Sequence, residues 1–135
     1  MLTVTTSIYA NLDTVRNAWT QPQHVMQRNF ASDDRHCPKA TNDLQVWWKF
    51  VSTMAAKDKS FSFDFSGTYT HIEDKKIIEY LMDDGRKCSV FFVDENCGTI
   101  KVSETFDPET ENSLELQQQG RQAIINNFKK YVENL

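Results

Sequence analysis

Glycine and proline are scarce, with four Gly and three Pro in 135 residues, which excludes a fibrous repeat or a low-complexity chain. Cysteine is scarce too. Cys37, Cys88 and Cys97 are odd in number, widely spaced and without a C-x-x-C pair, so they form neither a disulfide framework nor a metal spacing. They read as free thiols in a reducing compartment, acting as small core hydrophobes. There is no basic excess. Fifteen Lys+Arg stand against 19 Asp+Glu, a net charge of −4, so no nucleic-acid partner is expected. No stretch approaches the roughly 20 apolar residues that cross a bilayer. Met1 to Tyr9 lack the basic start and apolar run of a secretory signal. The expectation is a soluble cytoplasmic protein without membrane insertion. With no repeat, linker or compositional break, residues 1–135 read as a single domain.

Aromatic residues are abundant, at 12% of the chain, with nine Phe, four Tyr and three Trp. They are distributed through a legible order of elements. Thr3 to Tyr9 alternates Val4, Thr6 and Ile8 against Thr3, Thr5 and Ser7, the period of a strand. Asn11 caps a helix whose apolar stripe is Leu12, Val15, Ala18 and Trp19. Thr20 and Gln23 form a capping box around Pro22, which predicts a second short helix to about Gln27. Asn29 to Asp43 shows no periodicity and is predicted to be a long loop.

Leu44 to Ala56 reads as a strand. Phe61 to Glu73 is another, with Phe61, Phe63, Phe65, Gly67 and Tyr69 on one face and Ser62, Asp64, Ser66, Thr68 and Thr70 on the other. Lys76–Met82, Arg86–Asp94 and Thr99–Phe106 follow, joined by short turns that imply an antiparallel meander. Asp83-Asp84-Gly85 is a hairpin signal. Asn112 with Glu115 starts a final helix. Leu116, Gly120, Ala123, Ile124, Phe128, Tyr131, Val132 and Leu135 form its apolar side. The fold class is α+β: a curved antiparallel sheet of six strands wrapped around a long C-terminal helix, with two short helices after the first strand. A sheet that curves more than the helix can fill leaves a cavity suited to apolar ligands.

A series of segments in order carries a family resemblance. They include Asn29-Phe30-Ala31-Ser32-Asp33-Asp34, His36-Cys37-Pro38-Lys39-Ala40, Met54-Ala55-Ala56-Lys57-Asp58, Phe63-Asp64-Phe65, Gly67-Thr68-Tyr69, Asp84-Gly85-Arg86-Lys87, Thr105-Phe106-Asp107, Gln117-Gln118-Gln119-Gly120 and Asn127-Phe128-Lys129-Lys130-Tyr131-Val132-Glu133. The chain resembles the START-like (SRPBCC) superfamily with its helix-grip fold. It is most similar to the small bacterial homologues of the activator of the heat-shock protein ATPase. The resemblance implies a domain built around a hydrophobic cavity. Three positions depart from it. Similar proteins commonly carry two glycines at Trp47-Trp48, a Trp at Arg35 and a Trp at Arg121.

The candidate ligand-binding wall is Trp48, Phe50, Phe63, Phe65, Tyr69, Ala123 and Ile124, with Asp34 and His36 at the mouth. Trp48 is placed inward because it continues the face of Val46, Phe50, Ser52 and Met54, and adjacent strand residues point to opposite faces. Gly120 costs its helix about 1 kcal/mol against Ala, so it is expected to mark the closest approach of helix and sheet, with Gly67 and Ala123 leaving room beyond.

The Asp33-Asp34-Arg35-His36-Cys37 loop has metal-type side chains without convergent spacing, so no metal and no cofactor are expected. His24, His36 and His71 are dispersed, and no nucleophile signature accompanies them, so no catalytic residue is assigned. His71 is expected to continue the inward register of the Phe61–Tyr69 face. The leading reading is a non-enzymatic module binding a small hydrophobic or amphipathic molecule. A cyclase- or dehydratase-type enzyme using the same cavity is the second reading, to be separated by a buried His or carboxylate there. A chaperone-interaction module is the third; a chaperone partner is not expected, because no surface stripe is dedicated to one.

Overall fold

In the computed structural model of the chain, residues 1–28, 35–41, 45, 47–73 and 76–135 are described. Strand β1 (Leu2–Tyr9) buries Val4 and Ile8 and sends Thr3 and Thr5 to the other face, where their hydroxyls meet those of Thr105 and Ser103 across the ladder at 3.1 and 3.2 Å. Helix α1 (Leu12–Thr20) begins where predicted. The Asn11 side chain accepts from the Thr14 amide at 2.8 Å, satisfying one of the donors a helix start leaves open. Helix α2 (Pro22–Arg28) follows at once.

The predicted loop is in part a strand. Arg35–Thr41 forms β2, which pairs antiparallel with β3 (Lys49–Ala56). Its register shifts between His36 and Lys39, and this irregularity destroys the two-residue period by which a strand is read. Pro38 cannot donate to a ladder, and β2 is an edge strand, where proline is tolerated. Strands β4 (Ser62–Glu73), β5 (Ile77–Met82), β6 (Lys87–Asp94) and β7 (Thr99–Phe106) complete the sheet. The order is β1-β7-β6-β5-β4-β3-β2, antiparallel throughout. Among the described residues there are seven strands rather than six, curled around α3 (Leu114–Glu133).

The β4 pattern is realised as read. Phe50, Ser52 and Met54 on β3 stand opposite Gly67, Phe65 and Phe63 on β4, all on the concave face. Asp64 and Ser66 lie on the convex face, taking hydrogen bonds with Thr53 and Asp83. The concave register ends at Tyr69, where a shift in the β4–β5 pairing pairs Tyr69 with Tyr80 but His71 with Glu79. The extra residue turns His71 outward, where it is exposed and 3.8 Å from Glu73. The expectation of an inward His71 is therefore corrected by this bulge.

Helix α3 is capped by Ser113, whose hydroxyl accepts from the Leu116 amide at 3.1 Å, one residue later than the predicted Asn112. At 20 residues it is about 30 Å long. Ile125, Phe128 and Val132 are its buried side chains, and Trp19 packs edge-on against Phe128 with ring centres 4.9 Å apart. Leu116, assigned to the apolar side, is exposed. The helix also runs along the free edge of β1. Gln118, Gln122 and Lys129 donate to the carbonyls of Thr3, Thr5 and Ser7, and Glu133 accepts from the Tyr9 amide. Four residues of helix and two of strand both advance roughly 6 Å, which matches the step from Gln118 to Gln122 and that from Lys129 to Glu133. An edge that would otherwise offer unpaired backbone groups is covered.

Candidate functional site

The curled sheet and α3 pack tightly at Phe128 and Val132 but separate near the start of the helix. A cavity of about 310 Å³ lies between them. Among the described residues, seven aromatic side chains, Trp19, Phe50, Phe63, Phe65, Tyr69, Tyr80 and Phe106, stand on its wall. Phe50 is their hub, with ring centres 4.9 Å from Tyr80, 5.2 Å from Tyr69 and 6.0 Å from Phe65. Such edge-on and tilted pairs hold each other's orientation, so the wall is rigid on one side.

The two glycines have roles opposite to those expected. A Cβ at Gly67 would come within 2.8 Å of the Leu81 carbonyl oxygen and 3.1 Å of the Phe50 ring. Gly67 is therefore the point of closest approach, and Phe50 occupies the space its side chain leaves. A Cβ at Gly120 would meet nothing within 4 Å. Gly120 faces the cavity and does not mark a tight contact.

Two charged residues stand among the aromatics. The Arg121 guanidinium donates to Glu104 Oε1 at 3.0 Å, and its carbon lies 4.5 Å from the Phe106 ring centre and 5.1 Å from that of Phe65. Glu104 is 6% exposed. Burial pulls the Arg121 pKa down, but the Glu104 carboxylate together with the neighbouring Tyr80 and Cys88 leaves the net shift upward, so the guanidinium stays charged. Tyr80 lies close enough to Arg121 and to the buried Cys88 for the three to influence one another's ionisation. Burial, reinforced by the Glu104 carboxylate, pushes the Cys88 thiol up to about 12. Burial likewise raises the Tyr80 hydroxyl well above its usual value. Both are neutral hydrogen-bonding groups at ordinary pH.

The mouth is built by the turn into α3. Gln117 donates to the carbonyls of Glu109 and Asn112 at 3.1 and 2.9 Å and accepts from the Glu109 amide at 2.8 Å. Glu109 in turn accepts from the Asn112 amide at 2.7 Å. Arg86, held at 2.7 Å by Asp84, reaches the same rim.

Of the residues assigned from sequence, Phe50, Phe63, Phe65, Tyr69 and Ile124 stand on the cavity wall. Trp48 does not. It is 53% exposed and Trp47 is 74% exposed. Strand β3 starts only at Lys49, and Trp47 takes a left-handed backbone conformation with φ of 71°. This turn breaks the two-residue count on which the inward placement of Trp48 rested. Ala123 is also off the wall. Gln117, Gly120, Arg121 and Ile124 share the cavity-facing side of α3, and Ala123 is turned from Ile124 by about 100°. His36 is half-buried on β2 and not on the wall. Asp34 lies outside the described residues.

Sequence reasoning missed Glu104, Tyr80 and Ser52 as wall residues and gave Arg121 no role. Glu104 carried a signal. Ile100, Val102 and Phe106 alternate on the buried face of β7, and Glu104 is the charged member of that row. Among the described residues, no group of three or more His, Cys, Asp or Glu side chains is arranged to hold a metal, and no helix is long and apolar enough to cross a membrane. Cys37, Cys88 and Cys97 are unbridged.

Comparison with known proteins gives a consistent result. The family described as Activator of Hsp90 ATPase homolog 1-like protein matches residues 9–133. The solution NMR structure of an AHSA1-like protein from Aeromonas hydrophila is 41% identical, covering 98% of this chain and 93% of that one, with a TM-score of 0.88. A solution structure from Cytophaga hutchinsonii is 45% identical over 98% of this chain and 91% of that one, with a TM-score of 0.83. A crystal structure from Chromobacterium violaceum shares the fold at 17% identity, covering 98% and 99% of the two chains, with a TM-score of 0.83. No curated protein matches the chain.

Proposed function

This chain belongs to the family of Activator of Hsp90 ATPase homolog 1-like proteins, and from that premise we propose that it binds a small apolar or amphipathic molecule between its sheet and α3. The observation that carries the reading is a cavity of about 310 Å³, walled by aromatic rings, in the middle of a small domain. Unfilled space lined by apolar groups forfeits packing energy. A glycine inside a helix costs about a further 1 kcal/mol, and Gly120 has no close neighbour that requires it. Both costs are offset when a ligand occupies the space. The size is at the small end of the roughly 300–1,000 Å³ typical of ligand pockets, which favours a compact molecule over a two-chain lipid.

The test uses prodan, an uncharged dye whose emission shifts to the blue in apolar surroundings, and the variant Gly120→Leu. The wild-type protein is expected to bind prodan saturably. Gly120→Leu fills the cavity without a backbone clash, so it is expected to fold with an unchanged or higher melting temperature and to lose dye binding. A wild-type protein that leaves prodan emission unshifted, or a folded Gly120→Leu that binds it equally well, overturns the reading.

A cyclase- or dehydratase-type enzyme is favoured by one observation, the buried Glu104 carboxylate on the wall. Such reactions move a proton next to a carbonyl. Solvent-deuterium uptake by a bound ketone, followed by NMR and abolished in Glu104→Gln, is the expected signature; no uptake above the buffer rate removes this reading.

A further inference from the structure

The cavity contains hydrogen-bonding capacity that the protein itself does not use. Ser52 is 5% exposed and lies on the wall, yet no partner meets its hydroxyl among the described residues. Glu104 gives Oε1 to Arg121, and its Oε2 meets no donor among the described residues. A buried polar atom without a partner is costly, and both residues line the hollow.

The two groups border one aromatic plate. Ser52 stands directly opposite Phe65 in the β3–β4 ladder, and the Arg121 guanidinium that holds Glu104 lies over the ring of Phe65 at 5.1 Å. Ser52 beside Phe65 on the sheet and the ion pair above its ring therefore border the same part of the cavity, where one small molecule can meet both. The charges of Arg121 and Glu104 cancel. An ionised ligand head would be desolvated there without a free counter-ion, at a large cost. An uncharged donor meets both requirements, because Glu104 Oε2 can only accept, and the Ser52 hydroxyl can do either.

Resting on the reading of the cavity as a ligand site, we propose that it selects small uncharged molecules that carry a hydrogen-bond donor, an alcohol or amide on an apolar body, recognised by Ser52 and the free oxygen of Glu104. The ion pair is then a neutral polar platform and not an anion trap.

Displacement of prodan tests this with four competitors of one chain length: octanol, its methyl ether, octanoate and protonated octylamine. Prodan has no donor, so it reports occupancy without satisfying Glu104 Oε2, although its ketone can accept from Ser52. Octanol is expected to displace it at about tenfold lower concentration than the ether, the worth of one to two hydrogen bonds, and lower still than either ion. Ser52→Ala, with its own prodan affinity measured first, is expected to lose several-fold in octanol affinity. Equal competition by octanol and ether overturns the proposal, as does octanoate as the best competitor, or octanol affinity untouched in Ser52→Ala. In each of those cases prodan still binds, and the cavity reading stands; if prodan itself fails to bind, it is the cavity reading that falls.

Discussion

Arg121 on α3 reaches across the cavity wall to Glu104 on β7, 3.0 Å away, with its guanidinium against the ring of Phe106. The contact ties the first half of the helix to the sheet where apolar packing is missing. Removing one partner strands the other's charge in a site that excludes water, which typically costs 3–5 kcal/mol, about the full stability of a marginal domain. Glu104→Leu alone is expected to lower the unfolding free energy by that much, read as a lower urea midpoint. The double change Glu104→Leu with Arg121→Trp removes both charges, and it is expected to recover most of the loss. Urea titration of the wild type and both variants checks this, and a double variant no better than the single one would falsify it.

The two interior glycines are expected to answer the same substitution with opposite signs. Gly120→Ala enters open space on a helix and is expected to stabilise by about 1 kcal/mol. Gly67→Ala puts a methyl group 2.8 Å from a backbone oxygen of the neighbouring strand, where nothing flexible can yield. It is expected to destabilise by about 1–3 kcal/mol. Thermal unfolding of both variants decides the point.

How much of this was legible in the sequence depends on how far each residue keeps its period. β4 could be read residue by residue because Phe63, Phe65, Gly67 and Tyr69 alternate without interruption until the bulge after Tyr69. β2 could not, because the shift between His36 and Lys39 removes the alternation. Trp47 is a bulky residue in a left-handed conformation, which nothing in residue type announces. The inward face of β3 was therefore correct from Phe50 onward and wrong at Trp48. The β3 and β4 part of the aromatic wall, Phe50, Phe63, Phe65 and Tyr69, was readable as the inner face of strands, whereas Trp19, Tyr80 and Phe106 were not assigned to it. The polar centre of the cavity was not readable, because the pairing of Arg121 with Glu104 depends on how α3 crosses β7, and no local pattern encodes a crossing.

Trp48→Ala follows from the corrected placement. An inward Trp would cost several kcal/mol to truncate. A half-exposed one outside both the strand and the cavity wall is expected to cost less than about 1 kcal/mol, near the range of surface substitutions. Prodan affinity is expected to be unchanged. A loss of dye binding in Trp48→Ala would return this residue to the cavity.

Cys88 gives the domain an alkaline dependence whose sign can be worked out. Burial and the Glu104 carboxylate raise its thiol from 9.0 to about 12 in the folded chain. Between those values the folded state keeps a proton that the unfolded state has released. Stability therefore falls as pH rises through this window, at up to about 1.4 kcal/mol per pH unit for one group. Below about pH 9 both states are protonated, and the contribution is fully present. Tyr80, also raised by burial, acts in the same direction from about pH 10. The difference in stability between wild type and Cys88→Ala, measured by urea at pH 6, 7.5 and 10.5, is expected to be constant over the first interval and to narrow over the second, because the variant no longer has a thiol to ionise on unfolding. In the folded protein Cys88 is expected to resist iodoacetamide at pH 8 while the exposed Cys97 reacts, since the thiolate is the nucleophile. A difference that stays flat to pH 10.5, together with ready alkylation of Cys88, would mean that the thiol is not enclosed beside Tyr80 and Glu104.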